Sequence, residues 1–361
     1  MRVAMVSFDA GEYGVQVANA ISDHADVLLL SPRGGVGSHA SKLNPKIGCY
    51  FYDMPRIREA PQQLLAMTKV RRAISRFRPD VVHVQHVHLW FSLWLPTLRR
   101  YPLVITVHDP VHHVGDVESA RTPQRLVHWG YRRADQLITH AEQLKSVLVD
   151  DIHLPADLIT VIPHVAISSD GPDATVVERS KRLLFFGRIW EYKGLEYLIR
   201  AEPLISARVP DVEIVIAGRG EDFDKYRRMM VNPSRFVIDN ERIPDERVAQ
   251  YFGEASVVVL PYIDASQSGV VPIAYSFSRP VVATSVGGLP SVVEDGVTGL
   301  LVPPRDERAL ADALVTLLQD DDLRHKMGAA GRSKLEREWA PEVIGPQHID
   351  VYERALRSRR R

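Results

Sequence analysis

A single cysteine, Cys49, stands among 361 residues. One thiol excludes an internal disulfide and leads us to expect a reducing, cytoplasmic compartment. Net charge is missing too. Lys+Arg and Asp+Glu both total 45, so no overall field draws the chain to nucleic acid. The N-terminal stretch "MRVAMVSFDAGEYG" has too short an apolar run for a signal peptide or a spanning helix. It reads as a first buried strand. The third glycine of a dinucleotide fingerprint is absent from "AGRGED" (217–222), which weakens a nicotinamide reading. No HExxH or similarly tight ligand spacing occurs.

What is present is globular. Hydrophobic residues make up 45% and charged residues 25%, in a chain long enough for two domains with real cores. Continuous apolar runs at 2–8, 26–32, 80–86, 103–109, 136–141 and 158–165 suit the strands of a parallel sheet covered on both faces. Helix-length segments separate them, such as 60–77 and 122–133. A polar, turn-rich stretch, "AISSDGPDATVVERSK", reads as a linker. The pattern then repeats with runs at 182–189, 212–220, 235–243, 255–262, 279–286 and 298–304. The expected fold is α/β, two doubly wound Rossmann-like domains facing across a cleft. Their expected bounds are 1–168 and 180–340. A C-terminal helix over 341–361 is expected to cross back to the first domain.

Ligands of such domains bind at the carboxyl ends of the strands. "FFGRIWEYKG" places two cations there, Arg188 and Lys193, between Gly187 and Gly194. Two cations beside a helix N-terminus are suited to a diphosphate. The alternative is an exposed loop with incidental charges. Gly218 forms a tight turn after the next strand. In "DASQSGVVPIAYSF" (264–277), Ser266, Gln267, Ser268, Gly269 and Val270 offer small side chains and backbone N–H groups before a helical run. That suits an anion nest, with an ordinary N-cap as the plainer reading.

In the first half, Gly11 and Gly14 let backbone approach a ligand closely. Asp9, Glu12 and Tyr13 are candidates to face the cleft. "VITVHD" ends with His108 and Asp109 at a strand's carboxyl end, where a histidine can donate hydrogen bonds or move protons. Six of the 14 histidines lie between 83 and 113: His83, His86, His88, His108, His112 and His113. Strand alternation puts His83 and His86 on opposite faces. A metal site is therefore the minor reading, and the assignment is no metal.

These segments together resemble the retaining family 4 glycosyltransferases (glycosyl transferases group 1), which have the glycosyltransferase-B fold. The likeness runs over nearly the whole chain and is most specific over 183–304. "FFGRIWEYKGLEYLIRA" resembles the family's G-R-x-x-x-x-K-G segment. "EIVIAGRGED", "VVVLPY" and "RPVVATSVGGLPSVVEDGVTGLLVPP" follow in the family's order. "VIPHV" stands where the family has "VIPNGV". "TVHD" is similar to its cleft histidine segment. The resemblance implies that Arg188 and Lys193 hold a donor diphosphate and that His108 contacts the sugar. It implies no cofactor beyond a nucleoside-diphosphate sugar as co-substrate. A saccharide or lipid-linked acceptor and a setting in polysaccharide or glycolipid assembly are implied as well.

One departure stands out. The family usually carries two glutamates over 266–274; here the second one's place holds Ile273, and the frequent "PE" after the glycine pair is Pro290–Ser291. Two other readings follow. One is a non-catalytic member that binds a nucleotide sugar or a partner protein. The other is a metal-dependent hydrolase built on the 83–113 histidines. "KVRRAISRFR" (69–78) and the basic tail "RALRSRRR" add an expected peripheral contact with the inner face of a membrane, against a plain solvated helix face. The sequence leaves the oligomeric state open.

Overall fold

The protein was analysed as a computed structural model, which describes residues 1–8, 11–56, 58–85, 89–112, 122–166, 176–220 and 222–359. It divides into two compact units. The first takes in the described parts of Met1–His112, Val117–Ile167 and Glu338–Arg361; the second is the described part of Ser168–Arg337. The expected linker falls largely on 167–175, outside the described residues.

The first unit holds a seven-stranded parallel sheet. Its strands are β1 (Arg2–Val6), β2 (Asp26–Pro32), β3 (Gly48–Tyr52), β4 (Val81–Val84), β5 (Leu103–Thr106), β6 (Gln136–Thr139) and β7 (Ile159–Val161). They lie in the order β3-β2-β1-β4-β5-β6-β7. β1, β4, β5 and β6 are buried along almost their whole length. This is why their sequences read as unbroken apolar runs rather than as alternation. β3 was not expected. "GCYFY" begins exposed and only its last residue is buried, as suits an edge strand without an apolar run.

The second unit repeats the design with six parallel strands. They are β8 (Arg182–Phe186), β9 (Glu213–Ala217), β10 (Phe236–Asp239), β11 (Val257–Leu260), β12 (Val281–Thr284) and β13 (Gly299–Val302). Their order is β10-β9-β8-β11-β12-β13. In both sheets the order reverses once, between β1 and β4 and between β8 and β11. Such a reversal opens a crevice at the carboxyl ends of the two central strands, because their following connections diverge to opposite faces.

The C-terminal helix Pro341–Ser358 belongs to the first unit and packs on the helix Gly11–Ser22. A Cβ on Gly345 would stand 2.2 Å from the Ala20 carbonyl oxygen, so glycine sets the close approach of the two helices. The buried face, which includes Ile344, His348, Val351, Tyr352 and Ala355, follows helical spacing. It carries a polar element into the core. Tyr352 Oη lies 2.7 Å from His83 Nδ1, and Thr106 Oγ1 lies 2.8 Å from His83 Nε2.

Candidate active site

The loop after β8 lies at the reversal point of the second sheet. Gly187 takes φ 108°, and its N–H donates to the Ala217 carbonyl at 2.9 Å. A Cβ on Gly218 would stand 1.9 Å from the Gly187 carbonyl oxygen. Glycine there is what lets the exits of β8 and β9 run so close. Arg188 is exposed, whereas Ile189 turns inward at 2% exposure and its N–H bonds the Arg219 carbonyl at 2.8 Å. A single turn, Glu191–Lys193, leads to Gly194, whose φ of 62° starts the helix Leu195–Ser206. A side chain at 194 would lie 2.0 Å from the Pro261 carbonyl oxygen. The Ile263 N–H donates to the Tyr192 carbonyl at 2.8 Å. The loop after β8 is thus stitched to the loop after β11.

Lys193 bears on Tyr262 at that seam. Lys193 Nζ sits 3.8 Å from the centre of its ring, within cation–π range. The phenol is wholly buried, and burial pushes its pKa far up, against the opposing pull of the Ser268 hydrogen bond and the Arg188 charge. Tyr262 is therefore a neutral ring that supports Lys193 without competing for it as an anion.

The 264–269 loop is also built into the unit. The Gly288 N–H donates to the Ser266 carbonyl at 3.1 Å, and a Cβ on Gly287 would lie 1.4 Å from the Ala265 carbonyl oxygen. Ser266 and Ser268 are 4% and 7% exposed. The Ser268 hydroxyl accepts the Val270 N–H at 3.3 Å and lies 3.3 Å from Tyr262 Oη. Ser268 thus shapes the start of the helix Val270–Ser276, for which Gly269 is the cap. Gln267 and Ile273 are half-buried, and Val270 is 9% exposed.

In the first unit, His108 lies two residues beyond β5 and is 8% exposed. Its ring is one of four that gather at the carboxyl ends of the strands. The Tyr13 ring centre stands 5.0 Å from that of His108, 5.6 Å from His140 and 4.2 Å from His164. His108 and His140 are 4.8 Å apart. His140 Nδ1 lies 2.8 Å from the Ile162 carbonyl oxygen, so Nδ1 carries a hydrogen and Nε2 accepts from Tyr13 Oη at 3.4 Å. Burial holds His164 down at about 4 against the Val165 carbonyl contact. Sequence reasoning missed His140 and His164. "QLITHA" and "VIPHV" place them at strand ends, the same signal that singled out His108.

The other candidates in this unit are more engaged than expected. Tyr13 is 7% exposed among the histidine rings, and Glu12 pairs with Lys42 at 3.2 Å. Gly11 opens the first helix with φ 29°. Asp109 is exposed, and its carbonyl accepts from Tyr131 Oη at 3.3 Å. His83 does not face a ligand. It is fully buried beneath the C-terminal helix and hydrogen-bonded on both nitrogens. His112 bonds the Thr122 carbonyl. Asp9, His86, His88 and His113 lie outside the described residues. Among the described residues, no three His, Cys, Asp or Glu side chains form a group able to hold a metal ion.

Comparison with known proteins places this two-unit fold. Residues 12–165 match the profile of Glycosyltransferase Family 4, and residues 180–320 match that of Glycosyl transferases group 1. The chain belongs to the family 4 glycosyltransferases. Among curated relatives of this glycosyltransferase is a D-inositol 3-phosphate glycosyltransferase of Corynebacterium glutamicum. It is 31% identical over 302 residues, covering 75% of this chain and 72% of the relative. A phosphatidyl-myo-inositol mannosyltransferase of Mycobacterium leprae is 29% identical over 296 residues, covering 79% and 76%. Sucrose-phosphate synthase from Thermosynechococcus elongatus superposes with a TM-score of 0.76 at 18% identity, over 99% of this chain and 100% of that one. Anabaena HepE in complex with UDP gives 0.75 at 16% identity, over 98% and 100%. At such identities the likeness is one of fold, the two-domain glycosyltransferase-B fold.

Proposed function

We propose that this glycosyltransferase moves a sugar from a nucleoside-diphosphate sugar to a hydroxyl acceptor, with retention of anomeric configuration and without a metal ion. The observation that carries the reading is the pair Arg188 and Lys193, mounted on one glycine-bounded loop at the reversal point of the second sheet, with Lys193 seated on the Tyr262 ring. When the bond from the anomeric carbon to the diphosphate breaks, its electron pair leaves with the diphosphate. Fixed cations beside that oxygen favour the transition state because charge grows there. The acceptor oxygen bonds the anomeric carbon on the same face, and its proton passes to the departing phosphate. His108 is assigned to the transferred sugar. Gly187, Gly218 and the 266–270 segment are assigned to the donor. Gly11, Glu12, Tyr13 and Asp109 are assigned to the acceptor side.

A UDP complex in a protein of the same fold supports a nucleotide donor. The names of the relatives support an acceptor hydroxyl on a molecule that carries phosphate, saccharide or lipid-linked. We also assign this chain a peripheral contact with a membrane surface. No described helix is long and apolar enough to cross one. The helix Ala60–Phe77, however, exposes Leu64 and Leu65 beside Lys69, Arg72 and Arg76. A second reading, a binding protein without turnover, is favoured by the lack of any acidic residue over 265–277.

The test is turnover of uridine- and guanosine-diphosphate sugars with inositol phosphates as acceptors, with a chelator present, followed by NMR of the product. A product of the donor's own anomeric configuration supports the reading. An inverted product, or activity that vanishes with chelator and returns with metal, overturns the mechanism. Donor binding without any turnover supports the second reading.

A further inference from the structure

The amino edge of the first sheet carries a second cationic site. A cavity of about 430 Å³ opens beside Leu103, where β5 begins, and Asp135, which directly precedes β6. Leu98 and Tyr101, 3% and 9% exposed, contribute apolar lining. Four arginines line it: Arg99, Arg132, Arg133 and Arg359. Among the described residues only Arg359 is matched by an acid. Arg359 Nε lies 3.0 Å from each Asp135 carboxylate oxygen, and Asp135 also accepts the Leu103 N–H at 2.7 Å.

The other three make different contacts. Arg132 donates to the Ile152 carbonyl at 3.0 Å, and Arg133 lies 4.5 Å over the Trp129 ring. Among the described residues no acidic side chain pairs with Arg99, Arg132 or Arg133. Four positive charges against one negative leave three on a single cavity, in a chain whose formal charge is zero. Like charges so gathered repel one another unless an anion joins them. Guanidinium groups are also the side chains whose planar fork matches phosphate oxygens two at a time.

The cavity is separate from the candidate active site. Leu103 begins β5 and His108 lies two residues beyond its other end, and five residues of extended chain span about 16 Å. Arg188 and Lys193 belong to the other unit altogether.

We propose that this cavity is a second ligand site, which takes a phosphate monoester on its arginine rim. Two sources share that chemistry: a free phosphate, or the headgroup of a lipid whose chain lies along Leu98 and Tyr101. The test uses calorimetry in the Arg188→Ala/Lys193→Ala background, which removes the two cations assigned to the donor diphosphate. The probes are inorganic phosphate and dihexanoyl phosphatidic acid, a water-soluble lipid that needs no membrane surface. Saturable binding should appear, weaken with salt, and fall by about tenfold or more when Arg132→Ala and Arg133→Ala are added, the worth of one charge-assisted hydrogen bond. Arg99→Ala is a separate variant that tests the same rim should the double change disturb folding. Tighter binding of the lipid supports a headgroup; equal or weaker binding supports a free phosphate. The proposal is overturned if neither probe binds saturably, or if binding is unchanged in both sets of arginine variants.

Discussion

Lys193 is placed by the glycine that follows it and by the Tyr262 ring across the seam. Gly194 combines φ 62° with a carbonyl oxygen 2.0 Å from where its Cβ would be. Gly194→Ala must therefore push the loop after β8 away from Pro261. The expected result is a loss of roughly 1–3 kcal/mol of stability, together with weaker diphosphate binding. Urea unfolding and calorimetry on one sample read both, and full stability with full affinity would refute the placement. Gln267 tests a different claim at the same scale. Ile273 cannot bond a sugar hydroxyl, whereas the Gln267 amide can both donate and accept. Gln267→Ala is expected to impair use of a nucleotide sugar more than binding of the bare nucleoside diphosphate. Equal losses for the two ligands would mean that the loop serves phosphate alone.

Among the elements, the C-terminal helix makes the sharpest physical statement. His348 and His83 are both fully buried. Burial pushes His348 down to about 4, and it also lowers His83 well below its ordinary value, with help from the His348 and His140 charges. An unfolded histidine takes its proton near 6.5, so the unfolded chain binds protons before the native chain does. Stability is then constant above about pH 6.5 and falls as pH drops from there toward 4. His348 alone contributes on the order of 3 kcal/mol to that loss once the pH is near 4. Urea midpoints measured from about pH 8 to pH 5 should show the decline, and His348→Leu should make it shallower by about one proton. A flat profile would show that these histidines are not held neutral. The helix Ala60–Phe77 is the other element with a distinct expectation. Its exposed leucines and cations should draw the chain to anionic vesicles at low salt, at about 1 kcal/mol per cation near the surface. Sedimentation with anionic and neutral vesicles checks this, and no preference between them would remove the membrane contact.

At the scale of the molecule, the sequence carried the sheets better than the interior polar contacts. Twelve of the strands coincide with apolar runs because a parallel sheet buried on both faces leaves no room for alternation. The runs overshoot the strands: β5 ends at Thr106, yet Val107 and His108 stay buried as the chain leaves the sheet. β3 escaped because an edge strand needs no apolar run. The bond from His83 to Tyr352 spans 269 positions, and no local pattern announces such a pairing. The loop that carries Arg188 and Lys193 was legible because Gly187 ends a buried apolar run and Gly194 precedes a helical one. Of the ring cluster, Tyr13 and His108 were singled out from the sequence but His140 and His164 were not, since the four members come from four different connections.

The central claim is that Arg188 and Lys193 grip the leaving diphosphate. Titration calorimetry of uridine diphosphate into the wild type, Arg188→Ala and Lys193→Ala tests it directly, with circular dichroism to confirm the fold. Each substitution should weaken binding by about tenfold or more, the worth of a lost charge-assisted hydrogen bond, while thermal stability is retained. Unchanged affinity in both folded variants would contradict the account.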